Sequence, residues 1–437
     1  MKKLKQIIEW LLIIFTFLIP WQARWIYELG VLKGSIWEYG TKSIFITELL
    51  LGVIIIFGIV YTVWLLKTKT RTKEDIQKGK KNLLWGVLIF AGMIANGLLA
   101  YNMDLALHKM TYLILGVALA FLFIVIRPNF IKIAWAIILS AFIQSAFAIN
   151  QFVAQRVAGS SYLGVADQTV DTLGAPVILL SDGTRWLRSF GTLPHPNILA
   201  GFLLISLFFI IGLIIITKNK RHQKILPLLF VVNFIGLITT ASRAALVAFA
   251  ICIILMTFFA AKDKLFTKQT SKFTIISIFI LILFAVSFPD LIQSRVNPSN
   301  RLEEISNQSR VQQYQEFGPL IKNNFMSGVG IGNYTYYQHL ENKDLFGYQL
   351  QPIHNTYLLI IAELGLIGII SILLFFFYLY RSIKTFKTWS PEMTVAMTSL
   401  LALGITALFD HYLWSFWFGI CLFAIIISLT YTTNNKN

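Results

Sequence analysis

Charge is what this sequence has least of: Asp, Glu, Lys and Arg make up 13% of its 437 residues, where a soluble globular domain carries roughly a quarter. Hydrophobic residues make up 57%, and apolar runs of 16 to 27 residues recur from end to end, so no stretch is left for a separate soluble domain. Only two cysteines are present, Cys252 and Cys421, both inside apolar runs, which excludes a disulfide framework and a CxxC metal site. Carboxylates are few and scattered. Asp167 and Asp171 stand four apart on a loop with no third ligand nearby, so the sequence offers no divalent-metal cluster. Also missing are an internal repeat and a pair of Gly/Pro-broken spans in corresponding halves, the pointer to an inverted-repeat transporter.

What is present reads as an all-α fold, a polytopic membrane helix bundle. Twelve candidate spans fall at about 7–19, 44–66, 83–100, 111–126, 133–151, 198–217, 225–241, 244–261, 273–288, 354–380, 393–409 and 414–431. The 37 Lys and Arg exceed the 20 Asp and Glu to give a formal charge of +17, and their placement decides what that charge is for. With the N-terminus inside, 24 basic residues fall on the inner side, in Lys2–Lys5, Lys67–Lys81, Arg127–Lys132, 218–224, 262–272, 381–387 and Lys436. The other 13 share the much longer outer segments, while four acidic residues lie inside and 15 outside. This positive-inside pattern puts both termini in the cytoplasm and removes the case for a nucleic-acid partner. The first apolar run is no signal peptide, because Trp21 to Trp25 stands where small residues would mark a cleavage site. One integral membrane domain, 1–437, is expected, with a first long outer segment at 152–197 and a large outer loop at 289–353, between spans nine and ten. Everything outside the membrane is expected to be loop or short helix, and any chemistry to face outward.

The large outer loop carries Ser309-Arg310-Val311, then Gly328-Val329-Gly330-Ile331-Gly332-Asn333, and ends in Pro352-Ile353-His354-Asn355-Thr356-Tyr357 before a span that holds Glu363. The glycine run has none of the strand–helix context of a dinucleotide site and reads as a tight turn where backbone meets backbone or a ligand. His354 is the sharpest candidate, because its imidazole can take a proton near neutral pH at the mouth of a long span; the plain alternative is a capping histidine. Arg243, in Thr240-Ala241-Ser242-Arg243-Ala244-Ala245, joins two spans with almost no loop. An arginine at the bilayer centre costs about 2.5 to 3.5 kcal/mol, so it needs a partner or water. It either snorkels to the headgroups or points into an outward cavity and binds an anion, and its small neighbours, which allow close helix packing, favour the second. Arg188, in Arg185-Trp186-Leu187-Arg188-Ser189-Phe190-Gly191-Thr192, precedes Leu193-Pro194-His195-Pro196-Asn197 at the start of the sixth span. It suits either a phosphate at the helix start or an interfacial anchor. His195, between two prolines, is rigidly placed and can serve as a cap. Asp410-His411 on the last outer turn can orient an imidazole or form a solvated turn.

These marks resemble the O-antigen ligase and O-antigen polymerase superfamily, bacterial membrane glycosyltransferases of the glycosyltransferase C type. The resemblance rests on Ser242-Arg243-Ala244, Arg310 followed by Gly328 to Tyr334, Pro352 to Leu358 with Glu363-Leu364-Gly365-Leu366-Ile367-Gly368, and Phe190-Gly191-Thr192 to Pro196-Asn197. It covers about residues 185 to 370 in order. It implies a bacterial cytoplasmic (inner) membrane protein that transfers a glycan from undecaprenyl diphosphate, on the outer face, to a hydroxyl of a glycan, lipid or protein acceptor. By the same resemblance His354 would be the general base, and Arg243 and Arg310 would hold the diphosphate. Arg188 is a further candidate for the diphosphate, and His195, Asn355, Glu363, Asp410 and His411 are candidates for supporting positions. The chemistry fits independently: transfer needs a base on the acceptor hydroxyl and positive charge for the leaving diphosphate, and arginine forks suit phosphate oxygens. No metal ion or other cofactor is implied.

An anion or small-molecule transporter would use the same outer arginines, yet it has no need of His354 beside a long outer loop. A scaffold would not explain Arg310, the glycine turn and His354 in order. The enzyme reading requires Arg243, Arg310 and His354 to converge. Whether the activity is that of a ligase, a polymerase or a protein glycosyltransferase stays open at this level.

Overall fold

A helix that is apolar on every side can satisfy its surface only by being surrounded. Pro196–Ile216 is such a helix, with almost every side chain from Ile198 to Ile214 buried, and it forms the centre of the bundle. Phe130–Ala154, Lys220–Thr239, Arg243–Phe259 and Pro391–Thr406 pack around it. Ile46–Lys67, Lys264–Ser287 and Leu366–Lys384 lie at the edge and turn Leu49, Ile56, Ile278, Leu283 and Phe377 outward, rows that only a lipid surrounding accommodates. The structure is a computed structural model and describes residues 1–68, 92–259, 264–296, 301–384 and 390–434. Among them seven helices are long and apolar enough to cross a membrane, and Arg243–Phe258 and Trp417–Thr433 are shorter apolar helices. The protein is thus a mostly helical, polytopic membrane protein. Most of the basic run after Lys67, the first part of the 83–100 span, parts of the 262–272 and 381–387 segments, and Lys436 lie outside the described residues.

Three expectations need correction. The 354–380 span is two helices, Thr356–Leu364 and Leu366–Lys384, broken at Gly365 with φ +58°. A Cβ at Gly365 would stand 2.5 Å from Gly328 N and from Phe325 O, so the break is what lets the glycine turn seat against the helix end. The segment 289–353 is not only loop and short helix: it contains the 23-residue helix Arg301–Asn323. Its inward stripe is Gln313 and Leu320, both buried, with half-buried Phe317, and because the first of these is polar the 3.6-residue period is hidden in the sequence. The fold is also not purely helical. Two-stranded antiparallel pairs join Arg24–Glu28 to Lys42–Phe45, Val31–Leu32 to Ser35–Ile36, Arg156–Val157 to Gln168–Thr169, and Val177–Leu179 to Arg185–Leu187.

These pairs share one end of the bundle with the 289–353 segment. Trp21 Nε1 donates to Tyr162 O at 2.6 Å, Lys33 Nζ to Asp344 O at 2.8 Å, and Gly347 N to Ser35 Oγ at 2.7 Å. Residues 20–45, in which the sequence shows no site motif, therefore help wall the site.

Candidate functional site

Two buried glutamines hold the approach to the central helix. Gln144 Oε1 accepts from Thr192 N at 2.8 Å while its amide nitrogen donates to Thr192 Oγ1 at 2.8 Å. Gln151 accepts from Phe190 N and Gly191 N, at 3.0 and 2.9 Å, and donates to Gly191 O at 2.7 Å. Both amides are satisfied inside an apolar bundle, which leaves the loop a single low-energy path. The loop delivers His195 as the N-cap of Pro196–Ile216, its Nδ1 accepting from Asn197 N at 3.2 Å. Across from it, Ala241 takes φ +49° in the tight turn before Arg243, a conformation a non-glycine residue adopts only where packing holds it.

Arg188, Arg243 and Arg310 line one cavity of about 340 Å³, together with Arg295 and Ser306. Arg243 is exposed and sits at the start of its helix, with a nitrogen 3.5 Å from Arg295 O. Arg188 is half-buried and oriented by two acceptors, Thr240 O and Asn197 Oδ1, each at 2.9 Å. Arg310 is half-buried, and its Nε is covered without a hydrogen-bond partner among the described residues. Four guanidinium groups, with no carboxylate in the lining among the described residues, concentrate positive charge in this chamber.

A second cavity, of about 670 Å³, is lined by His195, His354, Asp410, His411 and Tyr39. The two share a wall. Phe409 faces the first and Asp410 the second, and Asn197 bridges them by accepting from Arg188 and donating to Asp410 Oδ2 at 2.9 Å. His354 and His411 meet edge to face at 5.4 Å, and Tyr39 OH lies 3.1 Å from Gln351 Oε1 and 3.5 Å from His411 Nε2. Burial holds all three histidines below their ordinary pKa, to about 4 for His195 and about 3 for His411, against the pull of Asp410. His354 is lowered by burial and further by Arg310, so it is a neutral imidazole at neutral pH. Burial alone would raise the Asp410 carboxyl, but His411, His195, His354 and the Asn197 amide together hold it below the usual value.

Of the other expected residues, Asn355 and Glu363 do structural work. Asn355 caps Thr356–Leu364 by accepting from Tyr357 N and Leu358 N at 3.0 and 3.2 Å. Glu363 accepts from Gly332 N at 2.8 Å and Trp414 Nε1 at 2.6 Å, and so ties the glycine turn to the short helix Tyr412–Ser415, in the lining of neither cavity. Gly330 N donates to Glu363 O and Val329 N to Ala362 O, both at 3.0 Å, which makes the glycine run a backbone-to-backbone seat. Sequence reading passed over Arg295, Asn197, Tyr39 and Gln313. Gln313 Oε1 lies 3.1 Å from both the backbone nitrogen and Nδ1 of His354. Its one sequence signal is the helical spacing from Arg310, which shows only once the segment is known to be a helix.

Residues 228–373 match the family model described as O-Antigen ligase. The match takes in Arg243, Arg295, Arg310, the glycine run, His354 and Glu363; Arg188, His195, Asp410 and His411 lie outside it. No curated protein matches the chain.

Proposed function

Through residues 228–373 the chain belongs to the O-antigen ligase superfamily, and from that premise we propose that it transfers a glycan from undecaprenyl diphosphate to an acceptor hydroxyl on the outer face of the cytoplasmic membrane. The observation that carries this reading is the shared wall: a chamber of four arginines next to a chamber with a neutral, half-buried histidine. A transporter for anions has no use for the second chamber.

In the transfer, His354 takes the proton of the acceptor hydroxyl. The acceptor oxygen forms the new bond to the anomeric carbon, and the electron pair of the old carbon–oxygen bond leaves on the diphosphate. Arg243 and Arg310, with Arg188 and Arg295, meet the negative charge that grows there. Asp410 favours the imidazolium that forms on His354, as its electrostatic pull on that ring indicates. The arginines supply the positive charge, so the reading needs no divalent ion. Both termini lie in the cytoplasm and the site faces outward, in keeping with the 24 to 13 division of basic residues. The test is turnover by purified full-length protein: an undecaprenyl-diphosphate glycan plus a hydroxyl acceptor should yield free undecaprenyl diphosphate and an enlarged acceptor, unaffected by EDTA.

A further inference from the structure

Gln313 is buried, one turn beyond Arg310 on the helix Arg301–Asn323. Its amide nitrogen lies 3.2 Å from Pro352 O and 3.4 Å from Gln351 O, and its amide oxygen 3.1 Å from His354 N and 3.1 Å from His354 Nδ1. Which way the amide points is dictated by its neighbours. A backbone N–H can only donate and two backbone carbonyls can only accept, so the oxygen faces His354 and the nitrogen faces Gln351 and Pro352. An amide oxygen offers lone pairs alone, so Nδ1 of the ring must carry a hydrogen. In a neutral imidazole the lone pair then sits on Nε2.

We propose that Gln313 is a positioning residue for the transfer: it holds His354 as the Nδ1–H tautomer and leaves Nε2 as the atom that accepts the acceptor proton. This rests on the function proposed above. Because the same helix face carries Arg310, the segment that meets the diphosphate also orients the base. The amide is neutral and accepts from Nδ1–H before and after proton transfer, so it keeps the ring in one orientation through the cycle. The other charged or titratable groups that face His354 are Arg310 on the same helix, Asp410 and His411 on the 410–411 turn, and His195 at the start of Pro196–Ile216.

Two readouts on the full-length protein in nanodiscs test this. In ¹⁵N-histidine spectra at neutral pH, the signals lost in His354→Gln should show a protonated Nδ1 and an unprotonated Nε2; the reverse assignment overturns the proposal whether or not transfer is detected. In kinetics, Gln313→Met should lower kcat about 10²-fold or more with donor KM nearly unchanged, since a free ring loses its working tautomer. Gln313→Glu keeps the acceptor contacts to His354 but loses the donor contacts to Gln351 O and Pro352 O, and its charge beside the ring should move the acid limb of the pH profile upward. Wild-type kcat in Gln313→Met, or an unmoved limb in Gln313→Glu, overturns the proposal. If His354→Ala is inactive while Gln313→Met is fully active, only this inference falls; if His354→Ala is fully active, the proposed function falls with it.

Discussion

Asn197 and Asp410, 213 residues apart in the chain, are joined by a side-chain hydrogen bond of 2.9 Å that runs through the wall between the arginine and histidine chambers. The Asn197 amide has its oxygen on Arg188 and its nitrogen on Asp410, so it serves both chambers at once. Asn197→Leu strands a buried carboxylate oxygen of Asp410 and takes one acceptor from Arg188, which keeps Thr240 O. It should destabilise the protein by about 1–3 kcal/mol and lower transfer. Thermal unfolding in detergent reads the first effect and donor turnover the second; a variant with wild-type values for both would mean that the bridge carries nothing.

Arg243→Ala and Arg310→Ala should each reduce transfer by about 10²–10³-fold while the protein stays inserted and folded, because each removes charge from the leaving diphosphate. Arg→Lys should recover little, since the planar fork is lost although the charge remains. Full turnover in Arg243→Lys would make that exposed residue an interfacial anchor instead.

The pH dependence follows from the histidines. His354 has its pKa lowered, so its basic form persists below the ordinary histidine value of about 6.5 and the rate should fall only as pH drops through the lower folded value. Stability should move in the same direction. The unfolded chain takes up protons near pH 6.5, whereas folded His195 and His411 resist until about 4 and about 3, so stability is full above about 6.5 and lost progressively below it. Thermal midpoints measured from pH 8 to pH 4 check this, and His411→Gln should flatten the slope.

Topology has its own test. Cys252 and Cys421 are buried, so they should add little background to labelling of single introduced cysteines. An impermeant thiol reagent applied to intact cells should reach Asn307→Cys and spare Lys218→Cys. The reverse result would turn the site inward and separate it from any outer-face donor.

Much of the helical architecture was legible because lipid demands a uniform signal: long apolar stretches such as Pro196–Ile216 announce themselves, and no tertiary contact is needed to read them. Arg243 and His354 stood out for the converse reason, as polar groups at the ends of such stretches, and Arg310 by its place ahead of the glycine run in the family resemblance. The helix Arg301–Asn323 was hidden because its inward stripe begins with a glutamine rather than an apolar residue. The break at Gly365 was hidden too, since it depends on the approach of Gly328 from a segment distant in sequence. Asn197 and Gln313 are ordinary amides in sequence; only their partners, Asp410 and His354, give them a role.

The most direct measurement of the central claim compares wild type with His354→Ala in donor binding and donor turnover on the same preparation. If His354 is the base and the arginines hold the diphosphate, His354→Ala should bind the undecaprenyl-diphosphate glycan with near wild-type affinity and release undecaprenyl diphosphate about 10²–10⁴-fold more slowly. Near wild-type turnover in His354→Ala would contradict the account.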